Sequence, residues 1–189
     1  MPLWTMPATL SALLTPLAGR LDRRTRPRFW SIVFGLLLCR EKRRTASAWF
    51  RAAGIGADFR RAYAAVGAVG RRVGSLGTAL LTAIDRAVGG PPDRYVFALD
   101  DTPTKRYGPR VQGAGVHHNP TPGPAGQTWV YGHVWVTLAR VVRHRLWGAI
   151  ALPVRAALYI RRTDLGTIPP ASRRPFRTKI TTAGQSSSP

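Results

Sequence analysis

The stretch that decides the fold is residues 94–102, which read Arg-Tyr-Val-Phe-Ala-Leu-Asp-Asp-Thr. Residues 94–99 are mostly apolar and rich in β-forming side chains, which is typical of a short buried strand. The sequence just before them, Gly89-Gly90-Pro91-Pro92, is the clearest boundary in the chain. We therefore predict a strand that starts at residue 94 and ends on the two adjacent acids, Asp100 and Asp101.

Upstream of this boundary, the sequence predicts helices throughout residues 1–90. Pro27 stands at an early helical position, where its missing N–H does no harm. Thr45 is a suitable N-cap and Gly54 a suitable residue after a helix end. The predicted helices are Leu10–Leu17, Pro27–Arg40, Ala46–Ala53, Phe59–Val66 and Val73–Val88.

Downstream of this boundary, the sequence predicts a small antiparallel sheet followed by a disordered C-terminal segment. Residues 103–127 are rich in Gly and Pro and are expected to form one long loop. Trp129–Val142 and Leu146–Leu152 are expected to be strands, joined by a turn into a hairpin. Together with the strand at 94–99 they make three antiparallel strands within a domain at 94–168. Residues 171–189 lack acids and an apolar pattern, so we expect a disordered tail.

The charge of the chain points to a polyanionic partner. The 189 residues include 29 basic and eight acidic side chains, which gives a net charge of +21. The excess is shared evenly, with 15 basic and four acidic residues in 1–90 and 14 and four in 91–189. Arginine dominates over lysine, which a GC-rich genome explains, but codon bias does not explain the shortage of acids. We expect salt-sensitive binding to nucleic acid, since arginine suits phosphate oxygens.

Several classes of protein are disfavoured. Cys39 is the only cysteine, which excludes a disulfide framework and a metal site built of cysteines alone. Met1–Leu17 contains three prolines and no basic start, so it makes a poor signal peptide. The longest apolar stretch, Phe29–Cys39, has 11 residues, whereas a membrane span needs about 20. We expect a cytoplasmic protein with no membrane contact.

The pair Asp100-Asp101 is the strongest candidate site. Carboxylates at the end of a strand are well placed to hold Mg²⁺ together with phosphate oxygens. A plain strand-to-turn transition explains the same residues. Two features favour a site, because acids are scarce in this chain and the cationic Lys105 and Arg106 follow closely. Zinc binding by His117, His118 and His133 is less favoured, because no Cys or carboxylate stands at a supporting spacing.

The helix pair Phe29–Arg40 and Ala46–Ala53 is a candidate helix-turn-helix. Arg43, Arg44 and Arg51 would lie near phosphate, with Thr45, Ser47 and Trp49 near the groove. An ordinary antiparallel helix pair with a solvated basic face is the alternative. We favour nonspecific phosphate contacts over reading of the groove.

Three blocks between residues 95 and 138 resemble DDE transposases of bacterial insertion sequences. They are Tyr-Val-Phe-Ala-Leu-Asp-Asp-Thr-Pro-Thr-Lys-Arg-Tyr-Gly, Gly-Ala-Gly-Val-His-His-Asn-Pro-Thr-Pro-Gly and Tyr-Gly-His-Val-Trp-Val-Thr-Leu. The resemblance covers about residues 25–178. It implies an α+β chain with an RNase H-like catalytic domain, Mg²⁺ or Mn²⁺ as cofactor and transposon-end DNA as partner. It also implies that Asp100 is the first catalytic and metal-binding residue, with Asp101 as runner-up.

The chain departs from that family in its acids. The family needs a second Asp and a later Glu, whereas the only Glu here is Glu41 and the only acid after Asp101 is Asp164. The resemblance therefore implies the N-terminal part of a transposase with a truncated RNase H-like sheet, inactive alone, nucleoid-associated and able to dimerise with an intact transposase. The alternative is a non-catalytic basic DNA-binding protein. A ribosome- or RNA-associated protein is disfavoured by the apolar helices and six Trp.

Overall fold

The computed structural model describes residues 6–41, 45–56, 59–108, 110–120 and 126–184. The chain divides into two compact units, Met1–Pro91 and Pro92–Pro189. The division falls inside the Gly-Gly-Pro-Pro sequence. The first unit is helical and the second is built on an antiparallel sheet, so the expectation of a mixed helix and sheet chain is confirmed. Within the described ranges, no helix has the length and apolarity to cross a bilayer.

The first unit contains a helix at each of the five predicted places. The fourth is longer than predicted, because its amphipathic pattern continues past Val66 to Arg71. The helices are α1 (Ala8–Ala18), α2 (Thr25–Leu38), α3 (Ala46–Ala52), α4 (Phe59–Arg71) and α5 (Val73–Ala87).

The short helix α3 is fixed at both ends by its own sequence. The Thr45 hydroxyl accepts a hydrogen bond of 3.2 Å from the backbone N–H three residues later. At the other end Gly54 adopts a φ of 71°. The N–H of Ile55 reaches the carbonyl of Phe50 and the N–H of Gly54 that of Arg51, both at 2.9 Å, which is the Schellman arrangement. Both predicted caps are confirmed.

Close packing holds α2, α3 and α4 together. Phe50 is fully buried, with its ring 4.9 Å from that of Tyr63 and 5.7 Å from that of Phe59. Gly35 lies where α2 crosses α3, and a Cβ atom there would collide with the backbone carbonyl of Trp49. The absent side chain therefore sets how closely the two helices approach.

Among its described residues, the second unit contains four strands rather than the three predicted. They are β1 (Phe97–Lys105), β2 (Gly115–His118), β3 (Trp129–His144) and β4 (Gly148–Tyr159). The central strand is β3, which pairs antiparallel with β1 on one side and with β2 and β4 on the other. The strand that the sequence missed, β2, lies within the predicted long loop. It forms because its backbone completes hydrogen bonds of β3 beyond the reach of β4.

The two faces of this sheet differ. One face, here called the covered face, carries Val134 and Val136 of β3, Asp101 of β1 and Tyr159 of β4, as the register shows. Both valines are buried, and Phe176 packs edge-on against Tyr159. The opposite face carries Asp100, Thr104 and His133 among others.

The predicted disordered tail is wrong for part of its length. After a 3-10 turn at Pro170–Ser172, residues Lys179–Gly184 form α6, which packs on β3 and β4. Ala183 of this helix is buried. Burial against the sheet explains the order, since the local composition alone gives no apolar pattern. Residues 185–189 lie outside the described ranges.

Candidate metal site and nucleic-acid contacts

Asp100 and Asp101 do not end their strand as predicted. They lie in the middle of β1, opposite Thr137 and Val136 of β3. The ladder with β3 continues to Lys105, because each residue from Phe97 onward finds a partner on β3. The site is therefore a pair of acids within a strand.

Because side chains alternate along a strand, the two carboxylates point to opposite faces. Asp101 lies on the covered face, where its Oδ2 is 2.8 Å from the Nζ of Lys179 in α6. Asp100 lies on the opposite face and is exposed. Its Oδ1 accepts a hydrogen bond of 2.9 Å from the backbone N–H of Asp101. The fold thus gives the two acids separate surroundings.

The residues present do not fit a two-metal centre. Nowhere among the described residues do three or more His, Cys, Asp or Glu side chains form a group that could hold a metal. Asp100 offers a single carboxylate, whereas each Mg²⁺ takes about six oxygen ligands and is usually held by one or two carboxylates plus phosphates. Asp101 is turned away from Asp100 by the strand.

Asp164, the last acid of the chain, serves a structural contact. Its side chain is only 13% exposed and forms an ion pair with Arg161, whose Nε is 2.6 Å from Oδ2. Arg161 also donates through Nη1 to the Val116 carbonyl of β2, at 2.6 Å. Gly115 leaves room for the pair, since a Cβ there would collide with the Asp164 carboxylate. The hydrogen bond to Asp164 raises the pKa of Arg161 further above its ordinary value.

The cationic residues at the end of β1 form hydrogen bonds with neighbouring segments. Arg106 donates from Nε to the Nδ1 of His133 at 3.2 Å, and the Nε2 of His133 lies 2.9 Å from the Gln112 carbonyl. These two contacts require the tautomer with hydrogen on Nε2. Lys105 bonds to Gln127 at 3.3 Å. His133 lies on the same face as Asp100 but opposite Thr104, four residues further along β1. His133 and Asp100 are therefore roughly 13 Å apart along the strand.

The helix pair α2 and α3 has few free side chains that could contact a DNA groove. Arg43 and Arg44 lie outside the described residues. Arg51 is exposed but forms a two-pronged ion pair with Glu41, at 2.9 Å to each oxygen. Of the residues predicted near the groove, Thr45 caps α3, and the indole nitrogen of Trp49 is buried. The described side chains of α3 are thus largely committed to folding.

The sequence interpretation missed an exposed surface at the turn between β3 and β4. The sequence predicts a strand over Leu146–Leu152, but Leu146 and Trp147 lie in the turn, 74% and 73% exposed. Arg143 and Arg145 are exposed beside them. The available signal was Gly148, because a glycine is suited to the positive φ that closes a hairpin turn. In the structure Gly148 has a φ of 69°, and β4 starts at this residue, after the Leu-Trp pair.

Comparison with family models, with curated proteins and with solved structures found no match to this chain. The functional interpretation therefore depends on the residues described above. The features that bear most on it are the separated aspartates, the basic excess and the exposed turn.

Proposed function

We propose that this chain is a DNA-binding polypeptide of the DDE transposase type that does not cleave or join DNA by itself. The observation that carries the proposal is the separation of Asp100 from Asp101 by the sheet. Asp101 is engaged with Lys179, and Asp100 is left as a lone exposed carboxylate in β1.

DNA binding is supported by the charge of both parts of the chain. Residues 91–189 contain 14 basic and four acidic side chains, and two of these acids already form ion pairs with basic residues of the same unit. Most of the basic side chains therefore have no acid to neutralise them. A surface of this kind gains affinity by releasing counterions from DNA, which gives salt-sensitive binding with little sequence preference.

The transposase origin is supported by the chain order of the long strands. The strands β1, β3 and β4 pair antiparallel in sequence order, as expected of the first strands of an RNase H-like sheet. Asp100, the residue that matches the first catalytic acid of the family, is exposed on the first of these strands. In an intact relative, Mg²⁺ or Mn²⁺ bound to three acids would supply the chemistry.

The absence of cleavage follows from the number and position of the acids. Two-metal catalysis needs carboxylates on several sides of the ions. Asp164 is the only acid after Asp101 in the sequence, and its carboxylate is held by Arg161 under β2. Metal binding by Asp164 would have to displace its two hydrogen bonds from Arg161.

A nicking assay on supercoiled plasmid with Mg²⁺ or Mn²⁺ tests this proposal. The wild type, Asp100→Ala and Asp101→Ala should all bind the plasmid and leave it intact. Metal-dependent nicking that is lost only in Asp100→Ala would show that the chain is a complete enzyme.

Filter binding tests the DNA-binding part separately. If about six to ten phosphates are contacted, affinity should fall by about 10³–10⁵ between about 50 and 200 mM salt. Affinity that does not change with salt would contradict the electrostatic account.

The alternative is a non-catalytic basic DNA-binding protein unrelated to transposases. The engagement of Asp101 and Asp164 in structural ion pairs favours it, since neither is left for metal binding. The DNA that surrounds this coding sequence discriminates the two. A strand ending in Asp and a helix carrying Glu, encoded there in any frame, would support the transposase origin, and their absence would support the alternative.

A further inference from the structure

We infer that the turn between β3 and β4 contacts DNA at an unpaired base, on which Trp147 stacks. This tip is defined as residues 143–148. The inference rests on the proposed DNA binding and names the DNA structure that the second unit prefers.

The exposure of two large apolar side chains is the first observation. Single exposed apolar residues are common in folded proteins and need no explanation. Here Leu146 and Trp147 are adjacent, at the end of a hairpin, and about three quarters of each is exposed. Packing within the second unit does not account for them, since neither contributes to its buried core.

The tip holds the indole in a defined position. The Nδ1 of His144 accepts from the backbone N–H groups of Leu146 and Trp147, at 3.2 and 3.4 Å. The His144 ring stacks on the Trp147 indole, with centroids 4.4 Å apart and planes 19° apart. Gly148 supplies the positive φ that closes such a turn. A ligand that stacks on this indole meets a side chain that is already ordered.

The position and charge of the tip suit a polyanion. Pairing of β1 with β3 ends at Arg140, whereas the β3–β4 ladder continues to His144. The tip therefore extends about four residues, roughly 13 Å, beyond the end of the β1–β3 ladder. Arg143 and Arg145 are exposed on either side of His144, and no acid of the described residues forms an ion pair with them. Both guanidinium groups are available to phosphates that flank a base.

An unpaired base fits the tip better than an intact groove. Stacking on an aromatic ring contributes about 1–3 kcal/mol per base and tolerates any sequence. An apolar side chain such as Leu146 can also wedge between base steps. Insertion of Leu and Trp into an anionic membrane is the competing use of such a tip, but the flat His144–Trp147 pair favours stacking.

Fluorescence anisotropy with two labelled duplexes of the same sequence, one fully paired and one with a single bulged base, tests the inference. The wild-type chain should bind the bulged duplex about five- to 100-fold more tightly. Trp147→Ala should lose this preference and keep its affinity for the paired duplex, and Trp147→Phe should recover part of it. Trp129→Ala is the matched control, because Trp129 is also exposed, at 63%, but lies at the start of β3.

The outcomes separate this inference from the proposed function. Equal affinity of the wild type for both duplexes, or a preference retained in Trp147→Ala, would overturn the inference and leave DNA binding standing. Failure of the wild type to bind either duplex would overturn both. Binding to phosphatidylglycerol vesicles that depends on Trp147, without a preference for the bulged duplex, would overturn the inference in favour of a membrane contact.

Discussion

The helical unit and the sheet unit are almost equally basic but are stabilised in different ways. In the helical unit, a fully buried Phe50 and the side-chain-free Gly35 allow α2, α3 and α4 to pack closely. In the sheet unit, charged side chains attach the C-terminal segment to the strands, through Lys179 to Asp101 of β1 and through Arg161 to the Val116 carbonyl of β2. Helix packing in the first unit is thus sensitive to volume, and the sheet unit is sensitive to charge and pH.

The two ion pairs of the sheet unit occupy acids that a metal site would need. In the sheet unit, Asp101 pairs with Lys179 of α6, and Asp164 pairs with Arg161, which also contacts β2. The chain has few acids. Because two of them form ion pairs within the fold, few remain to bind a metal.

The largest effect should come from a cavity in the helical unit. Phe50→Ala removes a fully buried ring, and we expect the free energy of unfolding to fall by about 3–5 kcal/mol. Urea denaturation followed by circular dichroism measures this loss. Leu37→Ala, at an exposed position of α2, should change it by less than about 0.5 kcal/mol. Equal losses in both variants would contradict packing as the source of stability.

The next effect distinguishes two ion pairs of the sheet unit. Asp164→Asn removes a charged acceptor from partly buried hydrogen bonds, which should cost about 1.5–3 kcal/mol. Asp101→Asn breaks the exposed pair with Lys179 and should cost at most about 1 kcal/mol. Thermal unfolding of both variants tests the order, and a larger loss in Asp101→Asn would reverse the roles assigned to the two acids.

A matched pair of glycines tests the close contact of α2 with α3. Gly35→Ala places a Cβ against the Trp49 carbonyl and should destabilise the helical unit by about 1–3 kcal/mol. Gly67→Ala, at an exposed position of α4 with ample space, should stabilise it by about 0.5–1 kcal/mol. Denaturant midpoints report both changes. The contact is refuted if the two substitutions shift the midpoint in the same direction.

The smallest effect is a pH dependence of the sheet unit near pH 6.5. Burial and then the positive charge of Arg161 lower the pKa of His117 below its ordinary 6.5, although Asp164 partly opposes this. The unfolded chain therefore binds more protons than the folded chain below about pH 6.5, so stability should fall as the pH drops through that range. His117→Gln should weaken this dependence, whereas His118→Gln, at an exposed position of β2, should retain it. Unfolding curves of the three proteins, measured from neutral pH to below pH 6.5, test whether His117 causes the loss of stability.

Much of the fold could be predicted because its signals are local. Thr45 and Gly54 mark the ends of α3 through hydrogen bonds and backbone geometry within a few residues. The Gly-Gly-Pro-Pro sequence at 89–92 marks the change from helices to strands in the same way. By contrast, β2 and α6 carry weak local patterns and form only because β3 supplies hydrogen-bond partners and an apolar surface.

The sequence by itself determined the basic charge of the chain, the number of its acids, the helices before residue 90 and the adjacency of Asp100 and Asp101. Only the tertiary structure decided that β1 continues through both acids and that Asp101 meets Lys179 on the covered face. It likewise placed Leu146 and Trp147 at an exposed tip rather than within a strand. The physical reason is that these features depend on contacts between residues far apart in the chain, such as Lys179 and Asp101, which local propensity and spacing do not encode.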